Sequence, residues 1–321
     1  MKETPVFHVE KPGLLTSLQN DGRKGYQHVG LGPGGAIDPD ALFMANLLVA
    51  NELNTLAIEC TLVGPELHCL LDGIIAITGA DLSPTLNREP VPMWKAMRIT
   101  KGDTLRFGKP IQGARAYISR HGGFLGQEDL GSGAYHSMAS IGTLLTKNDV
   151  LSAHSLNGKG PLLGLSHEHH PVYKKHVTLA VVAGPHEERF NQKSTMAFYH
   201  STFRVKHGNR MALTFEGENL TPMKGSLLSS GVNWGSIQVP PSGHPIVLLQ
   251  DRQTTGGYPR IGTIASIHQA ELAQLVTGDT VNFQPITIQQ AQDKWREHLK
   301  QRRKLYARAF GRRMPTLLNK A

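Results

Sequence analysis

Residues 250–263, QDRQTTGGYPRIGT, concentrate chemically useful side chains directly behind an apolar run, PIVLL, that suits a buried strand. Asp251 can accept a proton or an N–H hydrogen bond. Gln253, Thr254 and Thr255 supply neutral donors and acceptors, Gly256 and Gly257 expose main-chain N–H groups, and Tyr258 adds a ring and a hydroxyl. Such a set suits a small polar molecule with an amide or a carboxylate better than a bare phosphate, which calls for Lys or a helix N-terminus. The same residues equally describe an elaborate turn whose side chains satisfy its own backbone.

Other residue groupings point to less. His167, Glu168, His169 and His170 are the densest cluster among 16 His, but they precede Pro171 in a polar stretch without the rigid spacing zinc needs, so no metal site is expected. TPMKGS (221–226) has Gly225 after Lys224, where a biotin acceptor lysine stands between two methionines; no biotin is expected on this chain. Cys60 and Cys69 form no C-x-x-C pair and no disulfide framework, which fits a reducing cytoplasm. SLQNDGRKGYQHVGLGPGGAIDP (17–39) satisfies neither a dinucleotide nor a Walker fingerprint, so its glycines are expected at positive φ or at a close approach of a ligand or another chain. Glu59 in LAIECTLVGPEL is compatible with the solvent face of a strand, and Asp81 sits at a Gly-Ala-Asp turn.

These residues need elements to hold them. A chain of 321 residues suggests two domains with real cores. Short strand-like runs recur (GIIAITG, TLAVVAG, RMALTFEG, HPIVLLQ), bounded by Gly, Pro, Asn and Asp, so the chain reads as mainly β. One helix is expected from Asp38-Pro39, with Asp as cap, Pro at the first position and Ala41, Leu42, Ala45, Leu48 and Val49 as its apolar stripe. A second is expected at 268–276. KGDTLRFG (101–108), TGDTVNFQ (277–284) and more weakly KNDVL (147–151) share a turn leading into a strand, mild support for two barrel-like halves. The expected domains are 1–160, 161–286 and a basic C-terminal helix and tail, 287–321.

The net charge of +9 does not mark a nucleic-acid binder. Residues 291–321 hold ten Lys or Arg and two acids, leaving the rest of the chain near neutrality. Thr287 and Gln290 match a capping box, Gly311 suits a stop, and Ile288, Trp295, Leu299, Tyr306 and Phe310 share one helical face. The basic face reads first as solvated and second as a contact for an acidic protein; no aromatic platform for RNA is interleaved. No apolar run reaches a membrane span and MKETPVFHVE lacks the apolar stretch of a signal peptide, so no membrane association is expected.

Several segments in this order resemble the family that holds the C subunit of bacterial ATP-dependent 5-oxoprolinase, KipA proteins and the carboxyltransferase domain of urea carboxylase, also labelled allophanate hydrolase subunit 2. They include DGRKGYQHVGLGPGGAIDPDALFMANLLVANE, IECTLVGPEL, ITGADLSPTLNREPVPMWKAMRITKGDTLRFG, AGPHEERF and LLSSGVNWGSIQVPPSGHPIVLLQDRQTTGGYPRIGTI, spanning about residues 17–284. The resemblance implies two cyclophilin-like β-barrel domains and a heteromeric complex with the B subunit of that enzyme, joined by its A subunit; homo-oligomerisation is a further option. It implies opening of the 5-oxo-L-proline lactam to L-glutamate with ATP, accompanied by Mg2+ and bound by this chain or a partner. On that reading Asp251 holds the lactam N–H or acts as base and Gln253, Thr254 and Thr255 bond the ring amide and carboxylate. Gly256, Gly257 and Tyr258 complete the pocket, and Arg23, His28 or Arg252 neutralises carboxylate or phosphate charge. Two other activities fit the resemblance: a non-catalytic KipA-type antagonist of a kinase inhibitor, and carboxyl transfer fed by a separate biotin carrier.

Three departures stand out. Asn20 occupies a position where the family has Asp. Gly133 stands in LGSGAY (130–135) where the family shows Arg. The loop that follows is shortened to SMASIGTLLTKNDV.

Overall fold

The computed structural model describes residues 3–154, 160–223, 225, 227–311 and 314. Lys224 of the TPMKGS segment lies outside the described residues, as do 155–159 before the expected domain boundary and Arg312, Arg313 and Lys320 of the basic tail. The chain forms two compact units, one of Met1–Arg23 with Gly34–Tyr173, the other of Lys24–Pro33 with Lys174–Ala321. The division after Tyr173 falls later than 160 because 163–173 remain attached to the first unit. Leu165 N–H bonds Trp94 O (2.9 Å), Ala96 N–H bonds Leu163 O (2.8 Å), and Tyr173 N–H bonds Gln112 Oε1 (3.3 Å).

The first unit wraps one core in two sheets. One sheet has six strands, in the order Val150–His154, Glu3–Lys11, Glu66–Cys69, Thr104–Arg106, Thr85–Leu86 and Glu89–Pro90. The other has five: Thr16–Gln19, Ala57–Thr61, Gln112–Arg120, Gly73–Asp81 and Ala96–Ile99. Val6, Phe7, Leu67 and Leu151 from the first sheet meet Leu18, Ile58, Ile75, Ile77 and Ile118 from the second; adjacent Val6 and Phe7 both reach this core because the strand's register shifts between Pro5 and Phe7. Helix α1 (Pro39–Leu48) starts where expected, with Asp38 accepting the N–H groups of Asp40 and Ala41 at 3.1 and 2.9 Å and Pro39 at its first position. Such a cap contributes about 0.5–2 kcal/mol. Instead of one buried stripe, Ala41 to Leu48 are all buried, and Asn46 in their midst donates to Thr55 O (2.8 Å) and accepts from Ser119 Oγ (2.9 Å).

The second unit is a closed barrel of seven strands, in the order His176–Ala183, Arg260–Ile264, Ser236–Gln238, Ile246–Leu248, Ala212–Glu216, Phe203–Gly208 and Thr280–Pro285. It closes by parallel pairing of its first and last strands, His176 opposite Thr280 through Val181 opposite Pro285. The barrel core includes Leu179, Phe203, Phe215, Ile237, Val247 and Phe283. Helix α2 (Gln192–His200) is capped by Asn191, and α3 (Gln269–Gln274) follows a 3-10 turn over Ser266–His268 in the region assigned from sequence. Helix α4 (Ile288–Phe310) has the full capping box at Thr287 and Gln290 and ends on Gly311 at φ 62°. Tyr306 on its apolar face is buried, while Ile288 is exposed. Lys294, Lys304 and Arg308 are exposed on the other face.

The faint sequence echo is one recurring turn. Gly102 and Gly278 both adopt φ 96°, and Asn148 takes φ 73° at the matching position. In each copy the next residue, Asp103, Asp279 or Asp149, accepts the N–H three residues before it, at 2.7, 2.9 and 2.6 Å. A short acceptor side chain after a left-handed residue closes the turn and starts the strand.

Candidate functional site

The loop that follows strand Ile246–Leu248 splits its residues between two environments. Asp251 and Arg252 turn inward, with 0% and 5% of their surfaces exposed. Gln253, Thr255, Gly257 and Tyr258 face outward and Thr254 and Gly256 are half-buried. The outer part is pinned as a short ribbon: Thr255–Gly256 pairs with Ser230–Gly231, and Thr254 O accepts Val232 N–H at 3.0 Å. Arg260 fastens the far side, donating to Gly231 O (2.8 Å) and Ser230 Oγ (3.0 Å).

Asp251 is held by Arg210, whose Nε and Nη2 donate to its two carboxylate oxygens at 2.9 Å each. Asp251 N–H also bonds Arg210 O at 2.9 Å. A bidentate pair with no exposed surface is positioned to fix the root of the loop. The side chain is therefore spent inside the protein, not presented on the loop surface.

Arg252 is different. Its Nη1 donates to Leu249 O at 3.1 Å, but its buried Nε has no acceptor among the described residues, and no described carboxylate forms an ion pair with it. Burial alone pulls its pKa down to about 10. A guanidinium taken out of water without an anion is costly unless something supplies one.

Gln238, which a reading of the sequence passes over within IQVPP, belongs to the same region. It ends strand Ser236–Gln238, is 2% exposed, and leaves its Nε2 without an acceptor among the described residues. Gly256 is the residue that covers it: a Cβ there would come 2.2 Å from Gln238 Nε2. The detectable signal was alternation, since Ile237 faces the core and puts Gln238 on the opposite face, beneath the loop. The Trp234 Nε1 is likewise buried and unpartnered among the described residues.

The remaining candidates are Arg23 and His28, the second of which belongs to the same unit as the loop. Arg23 is in the first unit, 2% exposed, with Nε donating to Asp129 O and Nη2 to Ser132 O at 3.0 Å. It braces the segment containing Gly133. His28 is exposed on a 3-10 turn and its Nδ1 bonds Gly25 O at 2.8 Å. Asn20 keeps the acceptor function that an aspartate would have there: its Oδ1 takes Gly22 N–H (3.0 Å) and Ser132 Oγ–H (2.7 Å). Gly35 at φ 88° meets the backbone of Asn20 to Gly22 within 3 Å of where a Cβ would stand, a close approach of the chain's own backbone where a ligand or another chain was expected.

Glu59 is not on a solvent face. It is 2% exposed, and its Oε2 accepts Ile37 N–H (3.0 Å) and the Tyr117 hydroxyl (2.6 Å), which in turn accepts Asp38 N–H (2.8 Å). Burial first, then the Glu59 and Asp38 charges, raise the Tyr117 pKa well above the usual phenol range and keep that hydroxyl a donor. Asp81 serves its turn by accepting Ser83 N–H at 2.9 Å. No group of three His, Cys, Asp or Glu among the described residues is arranged to hold a metal ion. No described helix is long and apolar enough to cross a membrane.

The family model for the carboxyltransferase domain, subdomain A and B, matches residues 29–285. The C subunit of 5-oxoprolinase from Escherichia coli (strain K12) is 32% identical over 294 residues, covering 89% of this chain and 93% of that one. The protein of the same name from Haemophilus influenzae is 30% identical over 283 residues, covering 86% of this chain and 89% of its own. The crystal structure of the Kluyveromyces lactis urea carboxylase matches with a TM-score of 0.86 at 26% identity. It covers 95% of this chain, which spans 29% of that longer one.

Proposed function

Because the chain belongs to the carboxyltransferase-domain family of subdomains A and B, we propose that it acts as the C subunit of an ATP-dependent 5-oxoprolinase. With the A and B subunits of that enzyme as partners in the cytoplasm it would open the lactam of 5-oxo-L-proline to L-glutamate. One observation carries this reading: Arg252 is a buried guanidinium with an unspent Nε beneath a loop of neutral polar side chains. That arrangement suits a small molecule carrying one carboxylate and one amide.

On this reading Arg252 takes the substrate carboxylate. Thr254 and Thr255 hydroxyls, with Gln253, bond the ring amide, and Tyr258 supplies a ring to cover the ligand. Asp251 is a positioning residue acting through Arg210, not the base. Water adds to the lactam carbonyl carbon, the carbon–nitrogen bond breaks, and the ring nitrogen leaves with a proton as the amine of glutamate. ATP with Mg2+ supplies the driving force for an otherwise reluctant ring opening. The donor set here does not fit it, because the loop offers no lysine and no helix N-terminus to a triphosphate. ATP is therefore assigned to another component of the complex.

A second reading, carboxyl transfer, draws support from the likeness to urea carboxylase and would take biotin from a separate carrier. Reconstitution with the partner subunits decides between them. Glutamate release and ATP hydrolysis stimulated by 5-oxoproline support the first; biotin-dependent turnover with urea supports the second. A stable complex with no turnover on either overturns both and leaves a regulatory protein.

A further inference from the structure

We propose that Gln238 is the residue that reads the lactam carbonyl oxygen through its Nε2, forming with Arg252 a subsite of buried N–H donors beneath the loop. The assignment rests on the 5-oxoprolinase reading above. Gln238 lies on the outer face of the barrel wall, yet it is almost wholly buried because Gly256 and Val232 lie against it. A leucine or methionine would fill the same space without stranding a polar atom. Instead the chain keeps an amide whose Nε2 finds no acceptor among the described residues, an arrangement that native interiors rarely tolerate without a use.

Four buried side-chain atoms without a partner among the described residues occur between Trp234 and Arg252: Trp234 Nε1, Gln238 Nε2, His244 Nδ1 and Arg252 Nε. Three are N–H donors, and the histidine nitrogen takes either role. A set dominated by donors calls for a ligand that presents oxygen acceptors. In 5-oxoproline the carboxylate and the carbonyl flank the ring nitrogen on either side, one charged and one neutral. The guanidinium matches the first and the amide matches the second.

Gly256, against which Gln238 rests, is four residues from Arg252, so their Cα atoms are no more than about 14 Å apart. Both donors are covered in this structure, so the ligand reaches them when residues 253–258 part from the barrel. Gly256 has no side chain to obstruct that approach.

The test uses the full chain assembled with its partner subunits. The KM for 5-oxoproline is measured for wild type, Gln238→Met and Gln238→Glu, together with inhibition by 2-pyrrolidone, which has the lactam without the carboxylate, and by L-proline, which has the carboxylate without the carbonyl. Losing one hydrogen bond to a neutral oxygen should raise the 5-oxoproline KM about tenfold in both variants. Any inhibition by 2-pyrrolidone should weaken in parallel while that by L-proline stays unchanged. An unaltered KM in a folded variant overturns the assignment of Gln238 and leaves the 5-oxoprolinase reading standing. A wild-type complex indifferent to 5-oxoproline overturns both. Should Gln238→Met fail to fold, Gln238→Glu keeps the shape and replaces the donor by an acceptor, so the same comparison decides.

Discussion

Arg210 and Asp251 meet as a parallel fork, Nε to Oδ2 and Nη2 to Oδ1 at 2.9 Å each, with their side chains 2% and 0% exposed. The pair joins the turn before strand Ala212–Glu216 to the start of the loop that carries the candidate site. Nothing in it is free to meet a substrate, so its influence on function is exerted through the loop's position.

Replacing Asp251 with Ala strands the arginine and should cost about 3–5 kcal/mol of stability. Replacing both residues, Arg210→Met with Asp251→Leu, should recover much of that loss, measured by urea unfolding of the two variants. If the role is positioning, turnover in the double variant returns in proportion to the stability. A single variant as stable as wild type but inactive would reinstate Asp251 as a base.

Arg252→Met removes a buried charge that lacks an acid partner, so stability should hold or rise while the KM for 5-oxoproline increases about tenfold to a hundredfold. Steady-state kinetics beside thermal unfolding separates the two effects. A large drop in stability with unchanged KM would make Arg252 a structural residue.

Gly256→Ala places a methyl 2.2 Å from Gln238 Nε2. Overpacking of this kind costs about 1–3 kcal/mol. Because the obstacle is a side-chain end and not backbone, combining it with Gln238→Ala should restore stability; a double variant no more stable than Gly256→Ala would show that the ribbon itself rejects a side chain there.

His186 gives a pH dependence of known sign. Its Nδ1 accepts Arg260 N–H at 3.2 Å, which requires that nitrogen unprotonated, and burial followed by the Arg260 charge lowers its pKa from 6.5. The unfolded chain therefore binds the proton more readily, and the stability this histidine contributes above pH 6.5 is lost as the pH falls below it. Unfolding free energies at pH 7.5 and 5.5 should differ less in His186→Gln than in wild type. An equal difference in both would remove His186 from the account.

Gly133→Arg brings a Cβ within 2.6 Å of Leu56 Cδ1. The leucine end can move, so the expected penalty is about 1–3 kcal/mol, relieved by Leu56→Val. Chemical denaturation of the single and double variants tests this.

Much of the scaffold could be read from local sequence because local rules govern it. Asp38 before Pro39 and Thr287 before Gln290 each satisfy N–H groups within a turn, so their helices start where those residues stand. The Gly-Asp turns were legible for the same reason. The inner half of the site was not, because its environment is made by distant residues. Asp251 is occupied by a partner 41 positions earlier, and Glu59 by a tyrosine 58 positions later. No spacing rule connects such pairs. Gln238 was hidden differently: its strand was recognisable as part of a motif, but its loss of solvent depends on a glycine in another segment lying over it.

Closing the second unit's barrel has a temporal consequence. Its first strand, His176–Ala183, is flanked by Arg260–Ile264 and Thr280–Pro285, both near the end of the chain. At roughly 5–20 residues per second, the stretch from His176 to Thr280 takes on the order of 5–20 s to synthesise. Until Arg260–Ile264 is made the nascent strand has neither neighbour, until Thr280–Pro285 it has only one, and its apolar residues Val177, Leu179 and Val181 await a core that only the last strands complete. In the first unit Glu3–Lys11 finds one neighbour at Glu66–Cys69 and waits until Val150–His154 for the other. Each unit thus leaves its opening strand half-paired until its last strand is made.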